Sequence, residues 1–341
     1  ARCTRAAPIA RWGNRRALRQ VPRKTGVVSN AAGYQVRRVG FRSGTDDELK
    51  ALHAVEVPIE TERGSNRMPR SIGAYMASAR SLPSQFSDHS WIAETTSGTA
   101  IASAYCWFNA AGDPRVMECD VLVQRDRRRQ GLGTQLMAQI CEETAREGRS
   151  LLTWSTFDAI PAGESFSRSI GGEIARVNRK SELVLIHVDW RTVQHWASGE
   201  RPRELGYSLD IIVGPFPDQL RADAAKFHHI MQTAPRDDLD VGDVTIGVDF
   251  VTELDKALAD SSRIRWTLLV RDRVGACVGG TEGTFELDDR SIAFQQNTGI
   301  DPAHRALGLA KWVKAAMLER IRRARPETQR VRTANAFSNA P

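Results

Sequence analysis

Val123-Gln-Arg-Asp-Arg-Arg128-Arg-Gln-Gly131-Leu-Gly133 is the stretch from which the fold is read. An apolar strand over 117–123 ends in a short basic turn, and R-x-x-G-x-G then opens a helix over 130–147. The same order returns 177 positions later in Ile300-Asp-Pro302-Ala-His-Arg305-Ala-Leu-Gly308-Leu-Ala310, between a strand over 291–299 and a helix over 304–323. Repetition at domain spacing implies that the whole fold is duplicated.

The chemistry of such a turn follows from its backbone. The first amide N–H groups of a helix have no partner within the helix and carry positive partial charge. Glycine lets an anion approach them closely, and neighbouring arginines add charge-assisted hydrogen bonds. The expected product is a pyrophosphate site at a helix start. In the first copy it is made by Arg128, Arg129, Gln130, Gly131, Leu132, Gly133 and Thr134, below Val121 and Val123 of the strand. In the second it is made by Ile300, Arg305, Ala306, Gly308, Leu309 and Ala310. Neither copy has G-x-G-x-x-G spacing or the G-K-S/T of a Walker loop. Tight helix packing alone could explain one glycine turn, but explains two matching copies poorly.

The paired turns resemble those of the GNAT superfamily of acyl-CoA-dependent N-acetyltransferases, whose motif is Q/R-x-x-G-x-G/A after a central strand. Arg128, Gly131 and Gly133 match in the first copy, and Arg305, Gly308 and Ala310 in the second. Pro302 fits the family's Val-x-Pro strand end, whereas Arg125 replaces that proline in the first copy. Glu118-Cys-Asp-Val-Leu-Val123 is similar to the central strand of bacterial tandem members, and Val331 to Asn339 to the strand and asparagine pair after the second motif helix. The resemblance implies two tandem α/β domains, each a mixed, mostly antiparallel sheet flanked by helices. It also implies acetyl-CoA as co-substrate and an amine acceptor, with Asn335 and Asn339 near the pantetheine arm.

The coarse elements agree with that expectation. Strand 34–39, helix 46–55, a hairpin over 91–108, the central strand, the motif helix, strand 151–157, helix 161–170 and strand 182–188 make one series. It restarts with strand 207–213, helix 217–231, a hairpin over 266–285, the second central strand and motif helix, and strand 330–335. The expected division is a basic disordered head at 1–33, domain one at 34–190, a charged linker at 191–206 and domain two at 207–341.

Glu118 and Asp120 alternate on the first central strand, so both face one side and either could take a proton from the amine. An ordinary solvated carboxylate fits the same pattern. Ser165-Phe-Ser-Arg-Ser-Ile-Gly171 resembles a family segment that commonly carries a proton-donating Tyr, here replaced by Ser167. The first copy could therefore bind acetyl-CoA without turning it over. In the second copy, Gln295, Gln296 and Asn297 cannot titrate, leaving Glu282 and Glu286 as candidate bases. The adjacent His228 and His229 do not share a helix face and read as surface residues rather than a metal pair. No metal is expected.

The net charge of +7 suggests nucleic acid until it is located. Residues 1–33 hold eight Arg and Lys and no acid, so the remainder sums to −1. A nucleic-acid role would rest on the head alone; a mis-assigned start, a basic arm and a targeting segment all remain open for it. No apolar run approaches the ~18 residues of a membrane span. Five cysteines, odd in number and without C-x-x-C spacing, suit reduced thiols in a cytoplasmic protein, with Cys106, Cys119 and Cys277 in the core. The head and the stop at Pro341, where the family continues with a helix and a strand, suggest a fragment or a faulty gene model, with an open sheet edge in domain two. The acceptor is not named by any loop, and the oligomeric state is not legible.

Overall fold

The computed structural model describes residues 2–12, 33–64, 69–234 and 236–338, the first of these stretches as backbone only. The chain forms two units, described separately below. The first comprises residues 6–178 with 236–243, and the second 1–5, 179–235 and 244–341. The expected Asn339 contact lies outside the described residues.

In the first domain, residues 6–12 of β1 (Arg2–Trp12), β2 (Tyr34–Val39), β3 (Phe86–Thr95), β4 (Ala100–Asn109), β5 (Val116–Val123) and β6 (Leu151–Ser155) lie in the order β2-β3-β4-β5-β6-β1. Neighbours are antiparallel except β5 and β6, so the sheet is mixed. One face is covered by α1 (Asp46–Glu62) and α2 (Ile72–Arg80) over Val39, Ile92 and Leu122. The other is covered by α3 (Leu132–Arg146), which lays Leu136, Met137 and Ile140 on Met117, Cys119 and Leu152. After α4 (Pro161–Ser169) the chain enters β7 (Glu173–Val184), whose residues 179–184 belong to the second domain.

In the second domain, β7 is followed in spatial order by β12 (Arg330–Ala336), β11 (Ile292–Ile300), β10 (Cys277–Glu286), β9 (Arg263–Arg271) and β8 (Ser208–Val213). Here too the central pair, β11 with β12, is parallel. On one side lie α7 (Arg221–Ile230) and α8 (Val248–Asp260), and on the other α9 (Leu309–Ala324). No described helix is long and apolar enough to cross a membrane.

Four features depart from expectation. Residues 2–12 of the supposedly disordered head form β1, with Ile9 to Trp12 paired to Ser155 to Leu152. A sheet edge offers free N–H and C=O groups to any extended segment, whatever its side-chain period. Residues 13–32 lie outside the described ones. The supposed linker is α5 (Trp190–Ser198) and α6 (Glu200–Glu204). The Asp189 side chain caps α5 by accepting from the Arg191 and Thr192 amides, and Trp312 Nε1 on α9 donates to the Ala197 carbonyl at 3.2 Å. The domain boundary therefore falls inside β7, not at 191–206. Within the second domain, residues 179–184 neighbour β12, so that side of β12 is not an open edge.

The fourth departure is α1, which runs past Pro58 to Glu62 instead of stopping near Val55. Pro58 removes one backbone donor. A Thr45–Glu48 capping box and the buried Leu49, Leu52, Val55 and Ile59 hold the helix regardless. The extra turn matters, because it carries Glu62 and Arg63 to the site.

Candidate active site

The parallel pairing of β5 with β6 covers only Val116–Glu118 against Leu151–Thr153. Beyond it the strands diverge, and a cleft of about 440 Å³ opens between Cys119–Val123 and Trp154–Phe157. The β5 amides on that side have no β6 partner past Glu118. Gly131, Leu132, Gly133 and Thr134 line one end of the cleft, and Phe166 and Ser167 of α4 its far wall.

The turn ahead of α3 has a specific backbone. A 3₁₀ turn at Arg125–Arg127 leads to an extended Arg128, then Arg129 at φ 64° and Gly131 at φ 82°. Gly131 serves as N-cap with no side-chain cap, so the first amides of α3 face the cleft without a protein acceptor from the cap. A Cβ at Gly131 would meet nothing within 4 Å, so its glycine is required by conformation rather than space. The second domain repeats this geometry: a 3₁₀ turn at Pro302–His304, an extended Arg305, Ala306 at φ 62° and Gly308 at φ 80° ahead of Leu309 and Ala310. There β11 and β12 pair only over Ile292–Phe294 and Arg330–Arg332. Half-buried Asn335 lies on β12 past that point.

The two motif arginines are taken up by protein. Arg128 Nε donates to the Val123 carbonyl at 3.1 Å, and its two Nη atoms donate to Glu62 at 2.7 and 2.5 Å. Arg305 Nε donates likewise to the Ile300 carbonyl at 2.9 Å, and Nη2 to Thr233 at 2.5 Å. Both guanidinium groups therefore brace the turn against the strand end. Arg127 and Arg129 line the cleft together with Arg128, and are the two of the three not bound to Glu62. Gln130 is exposed and donates to the Asp126 carbonyl.

At the other end of the cleft stand Asp120, Arg63 and Phe157. Arg63 Nη2 donates to Asp120 Oδ2 at 2.9 Å, Nη1 donates to Glu60 at 2.6 Å, and the guanidinium lies 4.4 Å from the Phe157 ring centre. The Tyr105 hydroxyl donates to the same Asp120 Oδ2 at 3.4 Å, and burial holds that phenol well above its usual range. Glu118 shares Asp120's side of β5 but does not line the cleft. Surrounding protein pushes its carboxyl up, yet the side chain is exposed and solvent limits the push. Arg63 and Glu62 escaped the sequence reading because the helix carrying them was ended too early, and Tyr105 and Phe157, though on expected strands, carried no motif.

Ser167, where a tyrosine was sought, is buried. Its hydroxyl donates to the Gly163 carbonyl at 2.9 Å and accepts from Trp154 Nε1 at 2.8 Å. Its proton is thus committed to the protein.

In the second domain the central strand offers no carboxylate. Glu282 is buried, accepts from Asn297 Nδ2 at 2.8 Å and lies 3.6 Å from Arg265 and 3.5 Å from His228. Arg265 also pairs with buried Asp255. His228 is therefore not a surface residue, because its turn of α7 faces the sheet while His229 faces solvent. Glu286 pairs with Arg263 at 3.1 Å, and Gln295 and Gln296 donate to Thr281 and Thr284. His89, Glu143 and Glu147 approach within 4.8 Å of one another, a spacing that could hold a metal ion. Arg38 and Arg146 both pair with Glu143 and already balance its charge. The cysteines at 106, 119, 141 and 277 are buried free thiols, with Cys119 also lining the cleft.

Residues 60–162 match the model of the Acetyltransferase (GNAT) family. That span runs from the end of α1 to the start of α4 and contains most of the cleft lining, short of Phe166 and Ser167. Among solved structures, a tandem GNAT protein from the clavulanic acid biosynthesis pathway superposes with a TM-score of 0.69 at 20% identity, covering 90% of this chain and 91% of that one. A GCN5-related N-acetyltransferase from Sphaerobacter thermophilus gives 0.58 at 14% identity, over 90% and 89%. A probable N-acyltransferase from Enterococcus faecalis gives 0.51 at 11%, over 90% and 67%. No curated protein matches the sequence. Residues 60–162 therefore resemble a GNAT acetyltransferase domain, and the chain shares the fold of the tandem GNAT proteins.

Proposed function

We propose that the first domain is an N-acetyltransferase that moves an acetyl group from acetyl-CoA to a primary amine. The observation that carries this reading is the uncapped start of α3 at Gly131, facing a cleft held open by the divergence of β5 and β6. The pyrophosphate lies against the amides of Gly131 to Thr134, with Arg127 and Arg129 alongside. The pantetheine arm runs between the strands, and the thioester oxygen meets the unpaired β5 amides. The amine nitrogen attacks the carbonyl carbon, the C–S bond breaks, and an amide and coenzyme A result. Asp120 is the carboxylate positioned to hold the incoming ammonium and to take up its proton, directly or through water. The departing thiolate, with a free-thiol pKa of about 8.5, draws its proton from water because Ser167 has none to give.

A second reading is favoured by that same serine: an acyl-CoA-binding domain without turnover. Calorimetric titration of acetyl-CoA, with Gly133→Glu as control, combined with thiol release over an amine panel, separates the two. One site lost in Gly133→Glu together with amine-dependent release supports the transferase. Binding without release supports the second reading, and binding that survives Gly133→Glu moves the cofactor to the second domain.

A further inference from the structure

The hydroxyl side chains that line the cleft are Thr134, Ser155, Thr156, Ser167 and Ser169. Ser167 donates to the Gly163 carbonyl at 2.9 Å, and Ser169 to the Phe166 carbonyl at 2.7 Å. Thr134 and Ser155 are exposed to solvent. Thr156 differs from all four. The residue is 7% exposed, and its Oγ1 is buried with no hydrogen-bond partner among the described residues. Burying an unpaired hydroxyl is unfavourable, and a valine would fill the same space without that penalty. Folding alone therefore gives no reason for a threonine here, whereas a ligand in the cleft would.

Its place relates it to the bond that breaks. Thr156 directly follows β6, where that strand has parted from β5, so it faces across the cleft toward the unpaired β5 amides. A Cβ at Gly163 would lie 3.5 Å from Thr156 Cβ and 3.6 Å from its Cγ2. Thr156 thus packs beside the turn of α4 that accepts the Ser167 proton. Asp120 lies on the other face of the sheet, bound to Arg63 of α1. An amine held by Asp120 approaches the thioester from the α1 face, and the sulfur departs toward the α4 face. There the Ser167 hydroxyl is committed and the Thr156 hydroxyl is not.

On the reading of the first domain as an N-acetyltransferase, we propose that Thr156 is a further catalytic residue, whose hydroxyl donates a hydrogen bond to the thioester sulfur as the C–S bond breaks. The electron pair of that bond passes to sulfur. The hydrogen bond strengthens as the negative charge develops, so it stabilises the transition state more than the bound thioester. Thr156 keeps its own proton, and the proton that completes the thiol comes from water.

The test needs no acceptor. Coenzyme A and desulfo-coenzyme A, in which hydrogen replaces the thiol, are titrated by calorimetry into the full chain and into its Thr156→Val and Thr156→Ser variants. Titrations run at pH 7 and at pH 9, on either side of the free-thiol pKa of about 8.5. The wild type is expected to prefer coenzyme A about tenfold at pH 9, and less at pH 7. Thr156→Val keeps the shape without the donor, so it should lose most of that preference and still bind desulfo-coenzyme A like the wild type. Thr156→Ser keeps the donor and should retain the preference. Thr156→Val should also melt no lower than the wild type, because no hydrogen bond within the protein is lost; Thr156→Ala repeats the comparison should valine fail to pack against Gly163. No preference in the wild type, or a preference unmoved in Thr156→Val, overturns the proposal while coenzyme A binding leaves the transferase reading standing. A lower melting temperature with the preference intact makes the hydroxyl structural and overturns it too. Failure of coenzyme A to bind at all overturns both.

Discussion

Replacing Glu62 by Gln tests what the motif arginine does. In the structure Arg128 lines the cleft but spends both Nη groups on Glu62 and its Nε on the Val123 carbonyl, so its donors shape the turn. The pair is 20% and 22% exposed in its side chains, so it is screened but not surface-like. Charge-assisted hydrogen bonds contribute about 1.5–3 kcal/mol, and partial exposure argues for the lower end. About 1.4 kcal/mol is a tenfold change in affinity. If the loss falls on the order of the turn, Glu62→Gln and Arg128→Met each weaken acetyl-CoA about tenfold. The double variant is then little worse than either, because the two side chains act as one unit. Had Arg128 instead gripped the pyrophosphate, Glu62→Gln would free it and binding would tighten. Calorimetry on the four proteins at pH 7 decides the matter, and unchanged or tighter binding by Glu62→Gln refutes the bracing role. The pH dependence has a definite sign. The hydrogen bond from Arg128 lowers the Glu62 carboxyl. A depressed carboxylate contributes fully above its unfolded value of about 4.3 and loses that contribution as pH falls. The stability gap between wild type and Glu62→Gln should therefore be constant from pH 7 to 5 and close below that value.

Three further outcomes follow from single contacts. Ser167→Ala removes hydrogen bonds to Trp154 and Gly163 and should cost about 1 kcal/mol of stability, read by denaturant unfolding, while changing kcat less than tenfold; a hundredfold loss of kcat would make the serine a proton donor after all. Gly199→Ala puts a Cβ 2.1 Å from Trp312 Nε1 at a residue with φ 62° and should destabilise by roughly 3 kcal/mol, seen as a lower melting temperature with altered tryptophan emission; an unchanged melting curve would contradict the α5–α9 packing. The Arg115 guanidinium and the Gly242 amide hold the Asp113 carboxyl well below the usual carboxylate range, so Asp113→Asn should speed amide exchange in 236–243 at pH 7. Equal exchange in both proteins would mean that Asp113 does not tether the segment.

The tandem fold and the two turns were legible in the sequence because their causes are local. A positive φ calls for Gly131 and Gly308, an apolar run makes the strand before each, and a periodic face makes the helix after each. Which cations have donors free for the cleft was not legible, because Arg128 is answered by Glu62, 66 positions away, on a turn of α1 beyond its expected end at Val55. For the same reason Asp120 could be singled out but not its half-engaged carboxylate, which depends on Arg63 and Tyr105 arriving from two other elements. His228 read as a surface group and Glu282 as a candidate base until packing buried them together, and residues 191–206 read as a linker until α5 and α6 formed there and packed on α9. Local backbone preference is written in consecutive residues, whereas charge pairing and burial belong to residues that only the folded chain brings together.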